Sequence, residues 1–105
     1  MTDRIAAIQK MLAKTPDDVF LHYSLAKEFA SAEQLEQAIE EFRKCIALDP
    51  KYLPAYVEGG KCLRSACRIE EARQIFLSGK ALAVDTGQRH TEDYIILQLE
   101  TFPKQ

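Results

Sequence analysis

The sequence predicts an all-α fold, an α-α superhelix of about six antiparallel helices, and three observations support this. The 105-residue chain resembles itself when it is shifted by 34 positions. Apolar residues recur at spacings of three and four, the pattern of a helix with one buried face. Short polar or proline-containing segments interrupt these apolar runs several times. A period of about 20 to 50 residues on helical spacing indicates a stack of repeated helical units.

The 34-residue period is clearest when residues 35–50 are aligned with residues 69–84. The alignment pairs like with like, matching Leu35 with Ile69, Ala38 with Ala72, Phe42 with Phe76 and Leu48 with Leu82. The same shift places the N-terminal segment under the first of these runs, with Ile5, Ile8, Leu12 and Pro16 beneath Ile39, Phe42, Ile46 and Pro50. The first helix is therefore predicted over residues 2–15, as the second half of a repeat.

Residues 19–52 are predicted to form a first pair of helices. Leu21, Leu25 and Phe29 follow one another every four residues and mark the buried face of the first helix. A polar break at residues 31–34 separates it from the second helix. That helix ends at Asp49-Pro50, because proline has no amide proton and disfavours helix in the residue before it.

Residues 53–86 repeat this plan, and residues 91–102 are predicted to form a capping helix. Val84 stands where the first pair has Pro50, so we expect Gly87 to end that helix instead. The last segment carries Tyr94, Leu97 and other apolar residues, but its phase does not fit the repeat motif cleanly, which is why it is predicted to be a cap.

This pattern resembles the tetratricopeptide repeat. Its signature runs large aromatic, Leu, small residue, aromatic, Ala, aromatic, Ala and Pro. In residues 19–52 these positions hold His22, Leu25, Ala26, Phe29, Ala38, Phe42, Cys45 and Pro50. In residues 53–86 they hold Tyr56, Gly59, Gly60, Leu63, Ala72, Phe76, Gly79 and Val84. The resemblance covers nearly the whole chain as a single domain.

Several positions depart from the family pattern. Gly59 replaces a leucine, and Glu33 and Cys67 stand at turn positions that usually hold glycine, so the turns are expected to differ locally. His22 is expected to pack in its aromatic position with its ring nitrogens partly solvated. The paired carboxylates at Glu40-Glu41 and Glu70-Glu71 are expected on solvated faces beside arginine and lysine.

Composition argues against several classes of function. The formal net charge is −2 and the cations are scattered among carboxylates, so no nucleic-acid partner is expected. No apolar run approaches the roughly 20 residues that span a bilayer, and no leader peptide is recognisable. The expectation is a cytoplasmic protein without a membrane partner.

No catalytic, cofactor or metal motif is present, and the sequence predicts a protein that is not an enzyme. The three cysteines, Cys45, Cys62 and Cys67, lack a Cys-x-x-Cys spacing, and both histidines are isolated. One alternative stays open: Cys67 follows a polar turn and precedes Arg68, and nearby cations lower thiol pKa values, which would make a reactive thiol.

The resemblance implies a partner-binding groove lined by the first helix of each repeat. Carrying the family's groove positions over gives Phe20, Tyr23, Lys27, Ala30 and Ser31, then Pro54, Val57, Glu58, Lys61, Arg64 and Ser65. Aromatic anchors beside a few cations suit a protein or peptide segment that is apolar and acidic. The alternative for Phe20 and Tyr23 is packing on a neighbouring helix.

The functional expectation is an adaptor that binds a protein segment without catalysis. The family subtype that grips chaperone tails through a lysine and two asparagines is not expected, because those positions hold Tyr23, Lys27 and Glu58. The competing expectation is a structural protein that forms a homodimer through its end helices.

Overall fold

A computed structural model describes residues 2–103 and contains six α-helices in that range. They are α1 (Thr2–Lys14), α2 (Val19–Ser31), α3 (Leu35–Leu48), α4 (Leu53–Ser65), α5 (Ile69–Asp85) and α6 (Arg89–Glu100). Each helix packs on the next one in sequence, and α2 also contacts α4. The predicted all-α repeat architecture is confirmed.

The helices keep the 34-residue period up to α5 and then lose it. The start of α4 follows that of α2 by 34 residues, and α5 follows α3 by the same distance. α6 starts 36 residues after α4, because α5 has 17 residues where α3 has 14, while the turn after it is one residue shorter. The predicted range of 91–102 is wrong at both ends, since the helix begins at Arg89 and ends at Glu100.

The core is centred on aromatic rings that pack against small residues of neighbouring helices. Phe42 and Phe76, 34 positions apart, are 2% and 0% exposed. A Cβ atom added to Gly60 would lie 2.6 Å from the Phe76 ring, and one on Gly59 would lie 3.3 Å from Cβ of Phe42. Contacts this short leave no room for a side chain at Gly60, so this glycine allows α4 and α5 to approach closely.

Three helix ends share one backbone conformation. Glu33, Cys67 and Gly87 all have positive φ angles, of 59°, 62° and 69°. In each case the amide of the next residue donates to a carbonyl five residues earlier, as Arg68 does to Leu63 at 2.9 Å. The expected local difference at the turns is wrong for the backbone, because Glu33 and Cys67 adopt the left-handed conformation that glycine favours.

This geometry predicts opposite effects for two substitutions. Cys67→Gly should raise the free energy of unfolding by about 1 kcal/mol, because a left-handed residue with a Cβ is strained. Gly87→Ala should lower it by about 1 kcal/mol through strain alone, since no atom lies within 4 Å of the added Cβ. Urea denaturation of both variants measures the two values, and a destabilised Cys67→Gly variant would contradict the strain argument.

His22 is buried and both of its ring nitrogens have protein partners. Its Nε2 donates to the carbonyl oxygen of Pro16 at 2.7 Å, and its Nδ1 is hydrogen-bonded to Oε1 of Glu41 at 2.6 Å. Glu41 is 8% exposed and also accepts from Lys44 at 3.1 Å. The expectations that the ring nitrogens are partly solvated and that Glu41 lies on a solvated face are therefore wrong.

In the second repeat the carbonyl of Pro50, which is equivalent to that of Pro16, accepts a hydrogen bond from a different side chain. Tyr56, 34 positions after His22, donates its hydroxyl to the carbonyl of Pro50 at 2.6 Å. Ile75, 34 positions after Glu41, is a partly buried apolar residue at the corresponding place. The two repeats thus close the same turn with a polar pair in one case and a single hydroxyl in the other.

Replacing His22 and Glu41 by the residues found at the equivalent positions of the second repeat, tyrosine and isoleucine, tests this equivalence. His22→Tyr or Glu41→Ile alone should lower the free energy of unfolding by about 2–3 kcal/mol, because each leaves a buried polar partner unmatched. The double variant should lose clearly less stability than the two single variants lose together, since no buried polar group is then left without a partner. Chemical denaturation of the four proteins gives the coupling, and strictly additive losses would refute it.

Candidate protein-binding surface

The helices α2, α4 and α6 lie side by side and form one surface, called the inner face here. Lys27 of α2 reaches Glu58 of α4 at 3.6 Å, and Lys61 of α4 lies 6.0 Å from the ring centre of Tyr94 on α6. These are the first helices of successive repeats by register. The inner face is therefore the surface on which the sequence predicted a groove.

A charged cluster occupies the middle of the inner face. The ammonium groups of Lys27 and Lys61 lie 3.6 and 3.7 Å from the same Glu58 oxygen, Oε1. Each lysine also lies over an aromatic ring, with Lys27 at 5.8 Å from the centre of Tyr23 and Lys61 above Tyr94. Cations attract the face of such rings, which helps to hold both lysines in place.

Two open depressions adjoin this cluster and share two of its side chains, Glu58 and Lys61. The first, of about 280 Å³, lies between α2 and α4 and is lined by Lys27, Ala30, Ser31, Leu35, Phe42, Glu58, Lys61, Cys62 and Ser65. The second, of about 370 Å³, lies between α4 and α6 and is lined by Val57, Glu58, Lys61, His90, Thr91 and Tyr94. Both depressions combine apolar side chains with polar and charged ones.

The structure brings most of the predicted groove residues together. Lys27, Ser31, Glu58, Lys61 and Ser65 line the first depression, and Val57 joins Glu58 and Lys61 at the second.

The two predicted aromatic residues differ in their surroundings. Tyr23 packs edge-on against Phe42 and Tyr52, at centroid distances of 5.9 and 5.4 Å. Its burial, with a smaller contribution from Glu58, raises the pKa of its hydroxyl. Phe20 is 63% exposed and lines neither depression. The packing alternative therefore describes Tyr23, whereas Phe20 remains exposed apolar surface.

Arg64 is turned toward the end of α6 and away from both depressions. Its guanidinium donates to the Thr101 hydroxyl at 2.7 Å, to the Thr101 carbonyl at 3.0 Å and to the Gln98 side chain at 3.2 Å. It also stacks 4.7 Å from the ring centre of Phe102, which Arg73 approaches from 5.4 Å. Phe102 is buried against Phe76, so Arg64 holds the last turn of the chain on the core.

The contribution of α6 to the inner face was not predicted from the sequence. His90, Thr91 and Tyr94 line the second depression, but an offset of 34 assigns this segment no consistent groove position. An offset of 36 places Ile95 at the position of Gly59 and Leu97 at that of Lys61. Ile95 is fully buried and Leu97 is 57% exposed, as those positions require. The length of the apolar pattern in α5 was the signal for this insertion.

The thiols divide into two buried groups and one exposed group. Burial, followed by the charge of Glu41, raises the pKa of Cys45 to about 12, and burial also raises the pKa of Cys62. Cys67 is exposed, and its neighbour Arg68 is paired with Glu71 at 2.7 Å and Glu36 at 2.6 Å.

Among residues 2–103, no three His, Cys, Asp or Glu side chains are grouped so that they could hold a metal ion. No helix in that range is long and apolar enough to cross a membrane.

Comparison with known families and proteins gives a consistent result. A profile of the tetratricopeptide repeat matches residues 29–90. A TPR repeat-containing protein of Pseudomonas aeruginosa is 34% identical over 88 residues, which are 84% of each chain. An uncharacterized protein of Methanocaldococcus jannaschii is 36% identical over 69 residues, covering 66% of this chain and 78% of that protein.

Solved structures agree with the fold. A Bordetella parapertussis protein studied in solution is 29% identical, with a TM-score of 0.80 over 91% of this chain and 84% of its own. The TPR2B domain of yeast Sti1, in complex with pHsp70, has a TM-score of 0.85 over 91% of this chain and 77% of that chain. Its identity is 17%, so this likeness concerns the fold alone.

Proposed function

Because this chain belongs to the tetratricopeptide repeat family, a family of non-catalytic protein-interaction modules, we propose that it is an adaptor that binds a segment of another protein. The segment lies along the inner face, across the two depressions. The observation that carries this proposal is that both depressions adjoin one charged cluster and share Glu58 and Lys61, so one ligand can occupy both.

Exposed apolar side chains on the same face support the proposal. Phe20, Tyr94 and Leu97 are 63%, 37% and 57% exposed, and by register all three belong to the faces of α2 and α6 that border the groove. Large apolar side chains that remain in water beside a cavity are typical of protein-binding surfaces. The ligand is accordingly an apolar segment that also carries acidic residues.

The ligand differs from a chaperone tail held by a lysine and two asparagines. The positions required for that grip hold Tyr23, Lys27 and Glu58. Tyr23 is packed against Phe42, and the Glu58 carboxylate would repel the tail carboxylates. The yeast domain in complex with pHsp70 therefore shares the fold with this chain and does not indicate the identity of the ligand.

The proposal predicts that one double substitution removes binding while the fold remains. Phe20→Ala with Lys61→Glu deletes an exposed apolar anchor and reverses a charge on the inner face. A partner captured from the source organism's lysate by the wild type should be lost by this variant, because both changes lie on the proposed binding surface. Mass spectrometry identifies the captured proteins.

A matched control separates this effect from a general change in surface. Leu77→Ala with Lys80→Glu makes the same kinds of change on α5, where Leu77 is 44% exposed. This control should retain the partner, and all three proteins should have the same circular dichroism melting curve. A partner that both variants retain would move the binding site away from the inner face.

Self-association is the second candidate function, and exposed apolar residues of α5 favour an interface there in place of the end helices predicted from the sequence. Leu77 and Val84 are 44% and 55% exposed on the last complete second helix of a repeat. If they form a two-fold interface, the mass measured by light scattering should rise from monomer to dimer with concentration, and Leu77→Glu should abolish the rise. A constant monomer mass at all concentrations would exclude this function.

A further inference from the structure

We propose that Glu58 competes with an acidic side chain of the partner for Lys27 and Lys61 and thereby limits how strongly the inner face prefers acidic segments. The inference rests on the proposed function and specifies the ligand as an extended segment with a side-chain carboxylate between two apolar residues. The carboxylate of the ligand takes the place of Glu58 between Lys27 and Lys61. The two apolar residues enter the two depressions.

The geometry around Glu58 suits an exchangeable contact. Both lysine ammonium groups approach the same oxygen, Oε1, but at 3.6 and 3.7 Å, which is longer than a charge-assisted hydrogen bond of about 2.7–2.9 Å. Both lysine side chains are 46% exposed, whereas Glu58 is 24% exposed. Long, half-exposed ion pairs contribute little stability, so replacing Glu58 by another carboxylate costs little.

The charge balance of the face favours an acidic ligand. Lys27 and Lys61 together carry two positive charges and Glu58 one negative charge, so the cluster retains one excess positive charge. Arg64 is not available to a ligand, because its guanidinium is bonded to Gln98 and Thr101. A carboxylate that binds here is therefore received by the two lysines, which the rings of Tyr23 and Tyr94 already hold in position.

The position of the depressions determines the order of side chains in the ligand. Phe42, Leu35 and Ala30 contribute apolar surface to the depression between α2 and α4. Val57 and Tyr94 contribute it to the depression between α4 and α6. Because Lys61 and Glu58 border both, the acidic residue of a bound segment lies between its two apolar residues.

Glu58 also limits how tightly an acidic segment binds. A neutral segment gains no charge interaction with the lysines, whether Glu58 is present or not. A ligand carboxylate must displace Glu58 and is then repelled by it across a short distance. Glu58→Gln removes both effects and should strengthen the binding of acidic segments.

The test uses synthetic fluorescent peptides and the full chain, with affinity measured by fluorescence anisotropy. Each nine-residue peptide carries two leucines separated by two to four positions, and the residue between them is glutamate, glutamine or lysine. Wild-type protein should bind the best glutamate peptide at least about ten-fold more tightly than its lysine counterpart. Glu58→Gln should tighten the glutamate peptide about five-fold further and leave the glutamine peptide unchanged.

Glu40→Gln provides the matched control, because Glu40 is exposed on α3, lines neither depression and changes the net charge by the same amount. It should leave every peptide affinity unchanged. Equal effects of the two substitutions, or weaker binding by Glu58→Gln, would overturn the inference. Binding that is strongest for the glutamine or lysine peptides would overturn it too and leave the proposed function standing.

Absence of binding by every peptide would likewise overturn the inference, because a segment of the stated chemistry would then not be a ligand. The proposed function would still be decided separately by whether the inner-face double variant loses the partner captured from the lysate. A circular dichroism melt confirms that Glu58→Gln and Glu40→Gln are folded before their affinities are compared.

Discussion

The close approach of paired helices over a buried phenylalanine is the constraint on which the rest of the structure depends. Phe42 and Phe76 lie at equivalent positions, and each needs a small residue on the helix that faces it. At Phe76 the requirement is absolute, because a Cβ at Gly60 would lie 2.6 Å from the ring. In the first repeat Ala26, fully buried, occupies the position of Gly60. This packing sets the approach of α4 to α5, and Gly59 against Phe42 sets the approach of α4 to α3.

The polar groups inside the fold are arranged around the same constraint. A carbonyl left free by each proline-containing turn receives a donor from the following helix, His22 in one repeat and Tyr56 in the other. The second ring nitrogen of His22, Nδ1, has its hydrogen-bond partner in Glu41 on α3. These buried groups are therefore not available to a ligand, whereas the side chains of the two lysines around Glu58 are each 46% exposed.

Sequence reasoning predicted the first five helices closely and the last one poorly. The spacing of apolar residues and the helix-breaking segments are local signals, and they placed α2 to α5 in their observed order. The two-residue insertion before α6 is also local, but a fixed period of 34 conceals it. The same error affected the candidate site, because the contribution of Tyr94 and Leu97 to the inner face was not predicted.

By itself the sequence determined the repeat and the pairing of helices, because these follow from periodicity along the chain, while the predicted groove positions came from the resemblance to the repeat family. Only the tertiary structure decided which of the predicted groove side chains are exposed and which are engaged in contacts within the protein. Hydrogen bonds to Gln98 and Thr101, which lie 34 and 37 positions away, hold the Arg64 guanidinium away from the depressions. Tyr23 is packed on Phe42. Glu58 is placed between Lys27 and Lys61 only when α2 lies against α4. Contacts between distant residues depend on how the helices pack, and a local pattern does not contain that information.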